Sequence, residues 1–253
     1  MFRKLLTLGA FLLVTQTYSV NVTAAIEKNT KTQTHTIQSD ERVVYGVSVS
    51  PYVRKVKVML NEKKLPFKQS EVLPLIGLKA TNSEIPDDFT KASPLGKIPA
   101  YSEKDWSIAD SGVIGDYLEA QYPAIKLLPS DPRERARAKW FEKYGDETLA
   151  NVIHTKIFIE RVVKPLVFKQ QTDESVVQKA ISEELPPLFD YLEKEVGDKQ
   201  FIAGNLFSIA DIAIVTHFVS LEKSNVKLDA QKWPKLAAYV QRIIKRDSFQ
   251  KAL

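Results

Sequence analysis

The chain has 253 residues, 44% of them hydrophobic and 26% charged, an ordinary balance for a globular protein of one large domain or two modest ones. Lys and Arg number 36 against 31 Asp and Glu; the resulting +5 falls to +3 without Arg3 and Lys4, and no dense basic stripe with interleaved aromatics suggests a nucleic-acid surface. Cysteine is absent, which excludes disulfides, thiolate metal sites and a cysteine nucleophile, and His35, His154 and His217 are too scattered to suggest a metal site.

Residues 1–25 stand apart. Arg3 and Lys4 give a basic start, Leu5 to Val14 is apolar apart from Thr7, and the segment ends in Val22-Thr23-Ala24-Ala25. That order is the pattern of a secretory signal peptide, and its apolar core is too short to span a bilayer. The expectation is export, to a periplasm, with cleavage after Ala24 or Ala25; an uncleaved tether is the alternative. Residues 26–41 are rich in Lys, Thr and Gln with almost no apolar content, the composition of a disordered linker.

Order begins near Arg42. Val43 to Val47 reads as a buried strand, and Val53, Val56, Met59 and Leu60 recur at helical spacing after Pro51 until Pro66 stops the helix. Phe67 to Val72 reads as a second strand, and residues 73–93 as irregular, with room for one short helix. Gly96 to Tyr101 opens a third strand, a turn through Glu103-Lys104-Asp105 leads to a fourth at Trp106-Ser107-Ile108, and Asp110-Ser111 starts a helix ending near Gln121. The first strand, helix and strand imply a right-handed parallel crossover, and the last two strands an antiparallel hairpin. This is an α/β, thioredoxin-like order (βαβ-ββα), placed at residues 42–127. From residue 132 to 253 only helical periodicity remains, with helices near Arg133–Asn151, Thr155–Pro165, Asp173–Val196, Ser208–Ser220 and Trp233–Lys245. Lys126 to Asp131 joins the two halves, stiffened by Pro129 and the following Pro132.

Four segments then resemble the glutathione transferase family over about residues 43–253. Tyr45-Gly46 with Ser50-Pro51-Tyr52-Val53-Arg54-Lys55-Val56 is similar to the family's first strand and active-site turn. Ser93-Pro94-Leu95-Gly96-Lys97-Ile98-Pro99-Ala100 resembles its N-P-L-G-K-V-P segment, and Asp110-Ser111 stands where Glu-Ser or Gln-Ser is usual. Phe201 to Asp211 resembles its helical folding signature, followed by Trp233-Pro234-Lys235-Leu236 opening the last helix.

The resemblance implies an enzyme that binds glutathione as co-substrate, with no permanent cofactor, and uses its thiolate to conjugate or reduce a small electrophile. Ser50 is the catalytic candidate, its hydroxyl donating to the sulfur at a helix N-terminus; it is equally suited to be that helix's N-cap. Ser48 and Tyr52 are rivals, while Tyr45 reads as a packed strand residue. The resemblance further implies a cis Pro99 presenting the Ile98 backbone to the cysteinyl part of glutathione, Lys97 near a carboxylate, and Asp110 with Ser111 receiving the γ-glutamyl end. Each has a plain counterpart: a trans proline at a strand start, a solvated lysine, a helix cap. Ser208 and Asp211 read as a structural capping box. Trp140 and Tyr144 share a helix face and either line the electrophile pocket between the domains or pack the core. A homodimer is a further implication, and the alternative function is a non-catalytic binding or interaction module of the cell envelope. The missing cysteine excludes a transfer through a protein mixed disulfide, and an oxidising compartment is an unusual place for reduced thiol.

Overall fold

The computed structural model describes residues 41–253; the expected signal peptide, and the expected linker apart from Glu41, lie outside the described residues. Strand β1 (Arg42–Tyr45) leads into helix α1 (Pro51–Glu62), strand β2 (Lys68–Ser70), two short helices α2 (Leu75–Ala80) and α3 (Asp87–Ala92), the hairpin β3 (Ala100–Glu103) and β4 (Trp106–Ala109), and helix α4 (Ser111–Gln121). The sheet order is β2-β1-β3-β4, with β1 parallel to β2 and antiparallel to β3, and β3 antiparallel to β4. The expected thioredoxin-like topology is therefore present. Strand alternation divides the core. Val44 and Tyr101 face α1, α4 and the helical half, whereas Val43, Tyr45 and Ala100 pack on Leu78 and Phe89 of α2 and α3.

Two local expectations need correction. Residues 73–93 hold two short helices, each entered from a proline, Pro74 and Pro86. The third strand starts at Ala100 and not at Gly96, because Gly96 takes a positive φ and the Ile98–Pro99 bond is cis, so the segment turns before it extends.

The second half is helical. Helix α5 (Pro132–Lys143) runs on through a π-helical segment (Tyr144–Leu149), one turn α6 (Ala150–Val152) and a second π-helical segment (Ile153–Phe168). Sequence spacing suggested a break between two helices here, but residues 151–155 contain neither Gly nor Pro to make one. Pro165 lies inside the second π-helical segment, whose wider turn relieves the clash a proline ring makes in an α-helix. Helix α7 (Glu174–Lys179), a π-helical turn (Ala180–Glu184) and α8 (Leu185–Val196) follow, then α9 (Ile209–Lys223), α10 (Pro234–Ile244) and α11 (Asp247–Gln250). Among the described residues no helix is long and apolar enough to cross a membrane.

Helix α9 organises the molecule. Every residue from Ile209 to Leu221 is buried, as expected of a helix apolar on all sides, and it packs against α1, α5 and both π-helical segments that follow α5. Its start is a complete capping box: the Asp211 carboxylate, wholly buried, also accepts from the Ile202 N–H at 2.9 Å and the Tyr239 hydroxyl at 2.8 Å. Gly145 allows the close approach of the neighbouring helix, since a Cβ there would lie 2.8 Å from the Ala213 backbone. The chain ends against α1, where Asn61 Nδ2 donates to the Ser248 carbonyl at 3.0 Å and Arg246 pairs with Glu62 at 2.8 Å.

Candidate functional site

The register of the sheet explains why distant segments meet. Tyr45, at the end of β1, is paired with Ala100, which in turn is paired with Ala109 at the end of β4. The turn after β1, the Ile98–Pro99 peptide before β3 and the Asp110–Ser111 step after β4 therefore converge on one end of the sheet. Two contacts fix this: the Asp110 N–H donates to the Pro99 carbonyl at 3.3 Å, and Gly46 is so close to Ile98 and Val53 that a Cβ would lie 2.4 Å from Val53. Gly46 also has φ +139, where a side chain would be strained.

Ser50 is the N-cap of α1, nearly buried, and its Oγ accepts from the Val53 N–H at 3.4 Å. The bond is long, and it leaves the hydroxyl proton free to donate elsewhere. Pro51 follows at the position of the helix where its missing N–H costs nothing. Ser48 is occupied otherwise: its Oγ meets Glu71 at 2.8 Å, Gln69 and Lys57 Nζ at 3.1 Å, so it pins the turn to the end of β2. Tyr45 is packed in the sheet. Tyr52 points to the second half, donating from its hydroxyl to the Asp146 carbonyl at 3.2 Å, and burial pushes its phenol up to about 12.

Asp110 has φ +84 and caps α4, its Oδ1 accepting from the Gly112 and Val113 amides at 2.9 and 3.2 Å. Ser111, buried, is left with an N–H and a hydroxyl that this cap does not use. Pro99 is buried and Ile98 half-buried; the Lys97 carbonyl accepts from Ser93 Oγ at 2.7 Å, while its side chain is exposed. Trp140 and Tyr144 are separated by the start of a π-helical turn. Tyr144 is core and Trp140 is half-exposed, both touching Tyr191, and neither is brought to the turn after β1.

Three features beside the site were not read from the sequence. Lys55, fully buried, bridges from α1 to Glu142 at 2.8 Å and to Asp146, whose own carboxyl is raised by burial. Arg54, also fully buried, reaches across to α9. Burial lowers it to about 9, which leaves it charged at neutral pH. His154 and His217 meet the Tyr52 ring edge-on at centroid distances of 5.6 and 5.8 Å. Burial lowers His154 to about 4 and His217 well below its ordinary range, so both are neutral at pH 7. Only the one-turn spacing of Tyr52 and Lys55 on α1 hinted at such contacts; their partners lie some ninety residues or more away in the chain. Among the described residues no group of three His, Asp or Glu side chains is placed to hold a metal ion.

A mixed four-stranded sheet whose binding elements gather at one end, backed by an all-helical half, defines a thioredoxin-like domain with a helical extension. The sequence matches the descriptions "Glutathione S-transferase, N-terminal domain" over residues 44–130 and "Glutathione S-transferase, C-terminal domain" over residues 153–247. The chain belongs to the glutathione S-transferase family. It is 26% identical over 213 residues to a glutathione S-transferase of Hyoscyamus muticus, an alignment covering 83% of this chain and 96% of that protein. The glutathione S-transferase GstB of Escherichia coli K12 is 27% identical, with the same two coverages. Among solved structures, a glutathione S-transferase from Rhodospirillum rubrum superimposes with a TM-score of 0.75 at 22% identity, over 84% of this chain and 91% of that one, a likeness of fold.

Proposed function

We propose that this family member is a glutathione transferase in which Ser50 holds the glutathione sulfur as a thiolate for attack on a small electrophile. The observation that carries the reading is the convergence of Ser50, the Ile98–Pro99 peptide and the Asp110–Ser111 helix start at one end of the sheet. A free thiol ionises near ~8.5, so holding it as an anion at pH 7 needs a shift of about two units, roughly 2.7 kcal/mol. A hydroxyl donor at the N-terminus of the twelve-residue helix α1 supplies stabilisation of that order without metal or base. In this reading the Ile98 backbone pairs with the cysteinyl segment in the manner of an added strand, and Ser111 donates to the γ-glutamyl carboxylate. Asp110 would offer its remaining oxygen to the γ-glutamyl ammonium, with Lys97 reaching from the rim to the other carboxylate.

Isothermal titration with reduced glutathione, with ultraviolet absorbance following thiolate formation near pH 7, tests the reading. Binding with a thiolate signal supports the transferase; binding without it supports a non-catalytic module; no binding at millimolar glutathione refutes the transferase and leaves the fold standing. Two further parts of the reading have their own tests. Export is supported by the basic, apolar and small-residue order of residues 1–25, and a mature protein beginning at Met1 by mass spectrometry refutes the cleavage. A homodimer is supported by half-exposed Trp106, Val113 and Trp140 on β4, α4 and α5, and a monomer in sedimentation refutes it.

A further inference from the structure

Helix α1 carries Arg54, Lys55 and Lys57 buried within its first two turns, with no acid in the first turn. Cations near a helix N-terminus oppose the helix dipole, and burial adds a desolvation cost, so each should have a counter-ion. Two of them do. Lys55 is held by Glu142 and Asp146, and Lys57 lies in the field of Glu71. Arg54 does not follow the pattern. Its four hydrogen bonds go to neutral oxygens: the Thr216 carbonyl at 2.8 Å, Thr216 Oγ1 at 3.1 Å, Ser220 Oγ at 3.5 Å and the Val49 carbonyl at 3.2 Å. Its Nε is unpartnered among the described residues. The charged and titratable groups around it include Lys57, itself near Glu71, and, on α9, His217 and Lys223, the latter near Glu222; neither acid makes an ion pair or hydrogen bond with the guanidinium.

The position of the charge is informative. Val49 is the residue before Ser50, so the guanidinium grips the backbone of the turn that carries the hydroxyl. The Arg54 N–H also makes the first helical bond, to the Ser50 carbonyl at 3.0 Å. We infer that Arg54 is a positioning residue whose missing counter-ion is the substrate: its buried charge, set behind the Ser50 turn, stabilises the glutathione sulfur as thiolate when glutathione binds. The inference rests on the transferase reading above. A field acting through a dry protein interior falls off slowly, so the guanidinium need not touch the sulfur to favour its anion.

The test is the pH titration of thiolate absorbance in the glutathione complex of the full mature protein and two variants. Arg54→Met removes the charge while keeping the length. Ser220→Asp keeps Arg54 and its grip on Val49 but places a carboxylate beside it. Both should raise the apparent pKa of the bound thiol by about one unit, a tenfold loss of thiolate at pH values below it. A purely structural arginine predicts lower stability for Arg54→Met and an unchanged thiol titration in both. If Arg54→Met does not fold, Ser220→Asp decides, since it supplies the missing counter-ion. Unchanged thiol ionisation in Ser220→Asp, with a lowered pKa in the unsubstituted protein, overturns the inference and leaves the transferase reading intact. No lowering in the unsubstituted protein overturns both.

Discussion

Ser50 does two jobs with one oxygen: it accepts the Val53 N–H and keeps a proton to give. Ser50→Ala should therefore lower kcat roughly 10²-fold, the scale of losing one oriented donor to a developing anion, with little change in glutathione affinity. Steady-state kinetics with calorimetry separates the two, and a matching loss of affinity would make Ser50 a scaffold residue alone. Ser111→Ala should act the other way round, weakening binding by about tenfold, the worth of one hydrogen bond to a charged group, while kcat holds. At this scale the sequence was informative, because Ser50, Pro99 and Asp110-Ser111 each sit in a short run whose neighbours dictate the local backbone: a proline after a cap, a glycine before a turn, a serine at a helix start. Arg54 and Lys55 stood in the same run but gave no sign, since what distinguishes them is the presence or absence of an acid on helices α5 and α9.

Among the elements, the contact between α9 and the helical turn at Gly145 leaves no room for a methyl group. Gly145→Ala should cost about 1–3 kcal/mol by overpacking and lower Tm by several degrees; an unchanged Tm would show that the two helices can part freely. The paired imidazoles on Tyr52 give this region a pH dependence. Their folded pKa values lie below the unfolded value of 6.5, so the unfolded chain binds protons that the folded one refuses. The stability they allow is complete above pH 6.5 and is lost as pH falls from there, towards about 4 for His154 and in the same direction for His217, at up to roughly 1.4 kcal/mol per unit for each histidine. Denaturant titrations at pH 7 and pH 5 should show that loss, and His217→Gln should reduce it. Element order was readable because strand and helix periodicities are local. The continuity of α5 into its π-helical segments was not, since a helix whose turn widens keeps no constant apolar period.

The two halves of the molecule share one core, in which Val44 and Tyr101 of the sheet belong with Phe141, Ile212 and Leu236 of the helices. They are also riveted by Lys55 to Glu142 and Asp146, and by Thr216 Oγ1 donating to the Pro51 carbonyl at 2.8 Å. Unfolding should thus appear in calorimetry as a single transition, and two resolved transitions would show that the halves are thermodynamically separate. Lys55→Met should destabilise the whole by about 3 kcal/mol, the low end for a broken buried pair, because Asp146 loses its cation while Glu142 keeps Lys139 at 2.6 Å. Composition and motif order announced a two-part chain, but not how the parts dock, because docking pairs residues far apart in sequence.

The final segment, with Arg246 on Glu62 and the Ser248 carbonyl taking Asn61, closes on the first helix of the fold. These contacts join residues 184 and 187 positions apart, so α1 gains them only by closing a long stretch of chain. The support that residues 246–248 give to α1 is therefore a non-local step of folding, made after the local strand and helix contacts.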